Sequence, residues 1–306
     1  MTLALTIDVD ALPFYRRIHG GDTAARLDDD PIYTIGMPRF FALAAKHGLR
    51  PTVFLVGDDA PRFADVLRPG LAATGAEVAS HSFAHDYHLS TRSAAVIDAD
   101  LAAAERALEA AFGARPVGFR APGYNVSPQL LAVVCARGYR YDSSLLPAPG
   151  YWGLRAAAIG AYALLRRPSG SLVGPGRQFA GPLTPYRTGP EAPWTPRAGG
   201  PLVELPMAVE PTTRAPFIGT TITTLPRALV DAAARQVARL PLVNLELHAI
   251  DLVDASDHPA LAELAGAQRD VRVPVAEKLA RLDAVLGVLT RTHASTTLAE
   301  AAAAVA

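Results

Sequence analysis

The chain runs to 306 residues, 50% of them hydrophobic and 19% charged, an ordinary globular composition that can bury a large core as one big domain or two small ones. Basic and acidic residues balance at 29 each, which argues against nucleic acid or an anionic surface as an electrostatically captured partner. The single cysteine, Cys135, excludes an internal disulfide, and the opening MTLALTIDVD meets an acid at its eighth residue instead of forming a cleavable leader, so a cytoplasmic protein with a buried thiol is expected.

The first element is LALTIDV, residues 3–9, an apolar run that reads as a strand and leads into Asp8 and Asp10. Side chains alternate along a strand, so these two carboxylates share a face. A helix follows over 37–48, a strand over 51–57, a helix over 61–75 and a strand over 76–82. Next come a long helix over 91–113, a strand over 116–123, a helix over 127–138 and a strand over 139–144. Apolar runs that trade places with amphipathic helices ending in glycine are the pattern of βα units around a parallel sheet, here read as a barrel.

From 146 to 216 that rhythm breaks into Pro- and Gly-rich text carrying Tyr151, Trp152, Tyr162, Tyr186 and Trp194. Ordered loops of this length tend to be lids or binding segments. Its most apolar part, 151–167, is interrupted by Arg155 and is shorter than the ~20 apolar residues a membrane span takes, leaving a lid helix or a segment lying flat on a membrane. Alternation resumes with a strand at 201–209, a helix over 225–240, a strand at 241–251, a helix over 273–289, a strand at 294–298 and an alanine-rich terminal helix. One barrel domain over 1–306 with an insertion at 146–216 fits better than two domains.

In parallel α/β folds chemistry gathers at the carboxyl ends of strands. There this chain places Asp8 and Asp10, then HSFAHDYH, FRAPGYN, YDSS and LELHAID. His81 and His85 stand four apart after a strand, and a helical turn between them would aim both imidazoles at one cation, with a carboxylate from a neighbouring strand as third ligand. His88 is a rival third imidazole, set below Asp10. Two histidines and one carboxylate also describe the triad of iron oxygenases.

The ordered set TIDVD, HSFAH, FRAPGY, YDSS and LELHAID resembles the polysaccharide deacetylase family, the NodB-homology domains of carbohydrate esterase family four. That resemblance implies a distorted, seven-stranded (β/α) barrel and a metal-dependent hydrolase of N-acyl groups, most simply N-acetyl groups on an amino sugar. Carried over residue by residue, Asp8 is the catalytic base, Asp10, His81 and His85 hold a divalent metal, expected to be zinc, and Arg120 orients the base and keeps it ionised. His248 is the general acid that protonates the departing amine. The family's first motif carries its metal-binding acid where this chain has Val9, so TIDVD looks like a variant branch with that acid displaced by one residue. Gly123 stands where the family has a tyrosine whose amide helps hold the oxyanion, with Tyr124 next to it. Tyr124, Asp142, Trp152 and Asp251 are expected on the substrate side, with Asp142 supporting His248 and Asp251 and Asp254 at the mouth. A cytoplasmic small glycoside, or a lipid-linked sugar at the inner face of a membrane, suits this chain better than a cell-wall polymer. The rivals are a deacylase of a non-carbohydrate amide, an iron oxygenase and a non-catalytic glycan-binding barrel.

Overall fold

The computed structural model describes residues 1–20, 26–164, 166, 172–173 and 176–305. Strand β1 (Thr2–Val9) is buried over seven of its eight residues, because both faces of a parallel sheet are covered; this is why five of the seven residues of LALTIDV are apolar. The chain then alternates: α1 (Leu12–Ile18), α2 (Met37–Lys46), β2 (Thr52–Leu55), α3 (Ala60–Thr74), β3 (Glu77–Ser80), α4 (Ala94–Phe112), β4 (Gly118–Phe119), α5 (Pro128–Ala136) and β5 (Tyr141–Asp142). Ser93 and Ser127 accept hydrogen bonds from Val96 N and Leu130 N and so start α4 and α5, while Gly75 and Gly113, both left-handed, stop α3 and α4.

The insertion contributes α6 (Pro149–Leu164) and β6 (Tyr186–Thr188), and β7 (Leu202–Glu204) returns to the sheet. There follow α7 (Gly219–Thr224), α8 (Arg227–Val237), β8 (Leu242–His248), α9 (Pro259–Leu264), α10 (Val275–Leu289), β9 (Ala294–Ser295) and α11 (Leu298–Ala303).

Sheet order is β6-β7-β5-β4-β3-β2-β1-β8, with β9 added beside the start of β1. Seven strands are expected; among the described residues the sheet has nine, seven of them in the continuous parallel run from β7 to β8. The two additions are β6, an antiparallel edge strand supplied by the insertion, and the two-residue β9. The sheet curls: Ala208 N donates to Asn244 O of β8 at 2.9 Å, and Asn244 Nδ2 donates to Leu205 O and Ser143 Oγ, each at 2.9 Å.

Period-two alternation then sorts β1 between two environments. Leu3, Leu5, Ile7 and Val9 join the large cluster packed by the outer helices, whereas Ala4 joins Phe54, Tyr141 and Leu205 on the inner side. Full burial of one such Leu or Ile side chain is worth about 1.5–3 kcal/mol. Thr6 and Asp8 share Ala4's side, so the concave face passes from apolar to polar to acidic toward the end of the strand.

Candidate active site

Register sets Asp8 beside His248 on one flank and Phe54 on the other, and Asp10 follows just beyond the strand. His81 comes directly after β3, and its N–H donates to Leu55 O at 2.9 Å. The segment to His85 is an irregular loop, not the helical turn expected. It reverses through Ser82 (φ 66°) and His85 (φ 48°), two left-handed residues that are not glycine. Three hydrogen bonds hold that strained path: His85 N to Ser82 Oγ at 3.1 Å, and Phe83 N and Ala84 N to the Asp100 carboxylate at 2.8 and 3.1 Å.

The result brings Asp10, His81 and His85 together, with one ligand atom from each within 4.8 Å of the others. Asp10 Oδ1 lies 3.1 Å from His85 Nε2 and 3.5 Å from His81 Nε2. His81 Nδ1 donates to Arg120 O at 2.8 Å, which leaves the Nε2 lone pair facing the acid, as a metal-ligating imidazole requires. Burial alone would raise the Asp10 carboxyl; the two imidazoles, with His248 beyond them, hold it well below the usual carboxylate range. Burial pushes the His81 imidazole down, toward its neutral form.

Asp10 Oδ1, Asp8 Oδ2 and both ring nitrogens of His85 are buried without a hydrogen-bond partner among the described residues. Native proteins rarely leave such groups unmatched. One carboxylate and two imidazoles converging on one point are the donor set of a divalent cation with open positions, so the residues present fit a metal.

Beside this set, Arg120 is fully buried and makes four hydrogen bonds through its guanidinium. It donates to Asp8 Oδ1 at 2.7 Å, Ser143 O at 2.8 Å, Ser143 Oγ at 2.9 Å and Thr6 Oγ1 at 3.1 Å, and lies over the Phe54 ring at 4.1 Å. One Asp8 oxygen is thereby fixed and the other left open. Removing one partner of a buried pair of this kind costs about 3–5 kcal/mol.

His248 Nε2 stands 3.8 Å from Asp10 Oδ2, and its Nδ1 lies 2.7 Å from Glu246 Oε1. Burial would lower that imidazole, but Glu246, fully buried itself, outweighs it and raises the His248 pKa well above the ordinary value. Glu246 was not anticipated. The signal was in the sequence, since positions two apart on β8 share a face and LELH puts an acid on the histidine's side.

These groups open into a cavity of about 320 Å³ whose lining includes Asp10, His248, Tyr87, Tyr124, Tyr151 and Arg155. Tyr124 (φ 65°) packs its ring edge-on to His248 at 6.1 Å. A larger, mainly apolar groove of about 440 Å³, lined by Phe217, Ile222 and Leu229, contains none of the groups above.

Three expected substrate contacts lie elsewhere. Trp152 is fully buried, stacked on Phe179 at 5.2 Å with its indole N–H given to Leu146 O at 2.9 Å. It packs the insertion, and the neighbouring Tyr151 is the aromatic that reaches the mouth. Asp142 is buried against Glu204 and accepts from Ser144 Oγ at 2.6 Å; burial pushes both acids up, and Glu246, not Asp142, sits against His248. Asp251 is buried under the turn after β8, where it accepts from His248 N at 2.9 Å, and burial pushes its carboxyl up to about 7. Asp254 caps its own loop through Ser256 N and Val275 N, and His88 is exposed. The Tyr162 side chain lies outside the described residues.

Residues 23–141 match the family model described as polysaccharide deacetylase, a stretch holding His81, His85 and Arg120 but neither end of the chain. A peptidoglycan deacetylase of Helicobacter pylori is 24% identical over 146 residues, 47% of this chain and 49% of that protein, so the match spans about half the length of the curated relative. Among solved structures, a Mycobacterium smegmatis protein provisionally named a polysaccharide deacetylase superposes with a TM-score of 0.62 at 18% identity, covering 99% of this chain and 89% of that one. The allantoinase Puue gives a TM-score of 0.57 at 16% identity, with coverage of 99% and 89%. At such identities the likeness is one of fold.

Proposed function

We propose that this chain, whose residues 23–141 match the polysaccharide deacetylase model, is a metal-dependent hydrolase removing an N-acyl group, in the first instance acetyl, from an amino sugar or glycoconjugate. The observation that carries this reading is the convergence of Asp10, His81 and His85 beside an arginine-held Asp8 and a glutamate-held His248 at one mouth.

Asp10, His81 and His85 would hold the ion, zinc being the first expectation for an Asp-His-His set. When bound, such an ion polarises the acyl carbonyl and makes a coordinated water more acidic. Asp8, with Oδ1 tied to Arg120, has Oδ2 open to take a proton from the attacking water. His248, aimed by Glu246, presents Nε2 to the mouth and gives a proton to the departing nitrogen, without which an amine is a very poor leaving group. Tyr124 N–H is already donated to Ala121 O, so the Gly123 amide is the one left on that turn for the developing oxyanion. The segment 146–216 acts as the substrate-side wall through Tyr151 and Arg155. This division of labour makes TIDVD a variant first motif, with the base at Asp8 and the ligand at Asp10.

A lipid-linked sugar, met at a membrane face from inside the cell, is the second reading of the substrate. Leu154 and Leu164 on α6 are 76% and 85% exposed, and Leu154 also lines the mouth. Among the described residues no helix is long and apolar enough to cross a membrane.

The test is to load the protein with zinc and incubate it with N-acetylated and N-formylated sugars, free and lipid-linked, measuring released acetate or formate. Zinc should raise Tm, and Asp8→Asn should cut release by ~10²–10⁴-fold while retaining the ion. Full release by Asp8→Asn would overturn the mechanism. No release from any sugar would transfer the reading to a non-carbohydrate amide or a glycan-binding barrel.

A further inference from the structure

The mouth contains one charge that the reaction proposed above does not use. Arg155, half-buried on α6, lines the catalytic cavity and is stacked over Trp152 with its guanidinium carbon 5.4 Å from the ring centroid. One terminal nitrogen is spent on Gly123 O at 3.0 Å and touches Tyr151 OH at 3.5 Å. The other terminal nitrogen and Nε have no hydrogen-bond partner among the described residues, and no described carboxylate lies within ion-pair distance.

Each acid nearby faces a cation or an imidazole other than Arg155. Asp8 is held by Arg120, Glu246 by His248, and Asp10 by the two loop imidazoles. A partly desolvated guanidinium with open donors and no acid of its own is left for something that enters with the substrate.

Space for it comes from Gly123. A Cβ there would lie 3.0 Å from the Arg155 terminal nitrogen and 2.8 Å from the Tyr87 ring, at a φ of 61° that L side chains rarely adopt. A side chain at this position would press on that guanidinium and on the Tyr87 ring. The departure at Gly123 and the arginine supplied by the insertion are thus two halves of one arrangement.

We propose that Arg155 is a specificity-determining residue that selects N-acyl substrates carrying an anionic oxygen group, phosphate or carboxylate, close to the acylated nitrogen. The proposal deepens the hydrolase reading and rests on it for the substrate's acyl group. A planar guanidinium with paired donors suits either anion, and the two sources are separated by the choice of probe.

Binding is measured by titration calorimetry on zinc-loaded Asp8→Asn protein, which binds without turnover, using N-acetylglucosamine, its phosphorylated form and N-acetylmuramic acid. At least one charged sugar should bind about 10-fold or more tighter than the neutral one. Whichever charged sugar holds the advantage identifies phosphate or carboxylate. Arg155→Gln in the same background should collapse that ratio toward one, and Arg155→Lys, which keeps the charge and loses the fork, should restore part of it. Equal affinities for charged and neutral sugars, or a ratio that survives Arg155→Gln, overturns the proposal. Acyl release by the unaltered enzyme is read separately, so a charged-sugar preference without release retains Arg155 and discards the reaction.

Discussion

Glu246 stands two residues before His248 on one strand, and the 2.7 Å approach of its carboxylate to Nδ1 sets which nitrogen faces the mouth. Glu246→Gln keeps the shape and can leave the wrong tautomer in place. Hydrolysis of an N-acetyl amide should then fall by ~10²–10⁴-fold in kcat with KM little changed, whereas an activated acetate ester, whose leaving group needs no proton, should lose far less. Steady-state kinetics on the amide and ester pair checks this, and equal losses on both would show that Glu246 serves the fold instead. At this scale strand alternation alone made Asp8 and Asp10 legible, whereas His81 with His85 and Arg120 were legible through the ordered motifs, since the path between the two histidines is not helical. The sequence was least informative where a side chain's direction depends on distant packing. Nothing local to Trp152 says that Phe179 will cover it, and Asp142 reads as a site acid until the return of β7 places Glu204 against it.

Among the elements, the regular βα alternation was legible because buried parallel strands are apolar throughout and their helices carry serine starts and glycine stops. The short β4 and β5 were legible chiefly through the motifs that follow them. The small α1, α7 and α9, of six or seven residues, and the three-residue β6 within the insertion were not, since so few residues carry too little periodicity to stand out from loop. Helix α3 shows packing overriding propensity: it runs unbroken through Pro69 and Gly70, two helix-weakening residues in succession. Gly70 is there for space, because a Cβ would lie 2.0 Å from the ring of Phe41 on α2. Alanine is the better helix former by ~1 kcal/mol, yet overpacking costs about 1–3 kcal/mol. Gly70→Ala should therefore lower Tm by several degrees in calorimetry, and a rise would mean that α2 and α3 separate freely.

The molecule keeps several carboxyls buried outside the metal-ligand set, and these shape its response to pH. Burial pushes Asp30 and Asp59 up to about 6, against an ordinary 3.8. An acid raised in this way binds its proton more tightly folded than unfolded, so the folded state gains nothing below the unfolded value and loses stability as pH climbs from about 4 to 6. For Asp30 the loss is on the order of 2–3 kcal/mol. Half-buried acids held low by arginines near the surface, such as Asp86 beside Arg92, act in the opposite sense but are screened by solvent and contribute less. Asp30 also accepts Leu12 N at 2.9 Å and Ile32 N at 3.0 Å, so Asp30→Asn lowers stability overall. Its unfolding free energy, from urea titrations at pH 4, 5, 6 and 7, should nonetheless decline less steeply across that range than the parent's. Parallel slopes would mean that Asp30 is ionised throughout.

The curl of the sheet has a consequence for how copies of this chain meet one another. Strand β8 would end the sheet as an open row of amides and carbonyls, a template for another molecule's strand. Residues 205–208 reach that row through the Ala208 and Asn244 contacts, and the side-chain amide of Asn244 ties the same stretch to Ser143. What closes the hollow around the catalytic groups therefore also hides a sticky border, and shortening the return from β7 would expose both at once.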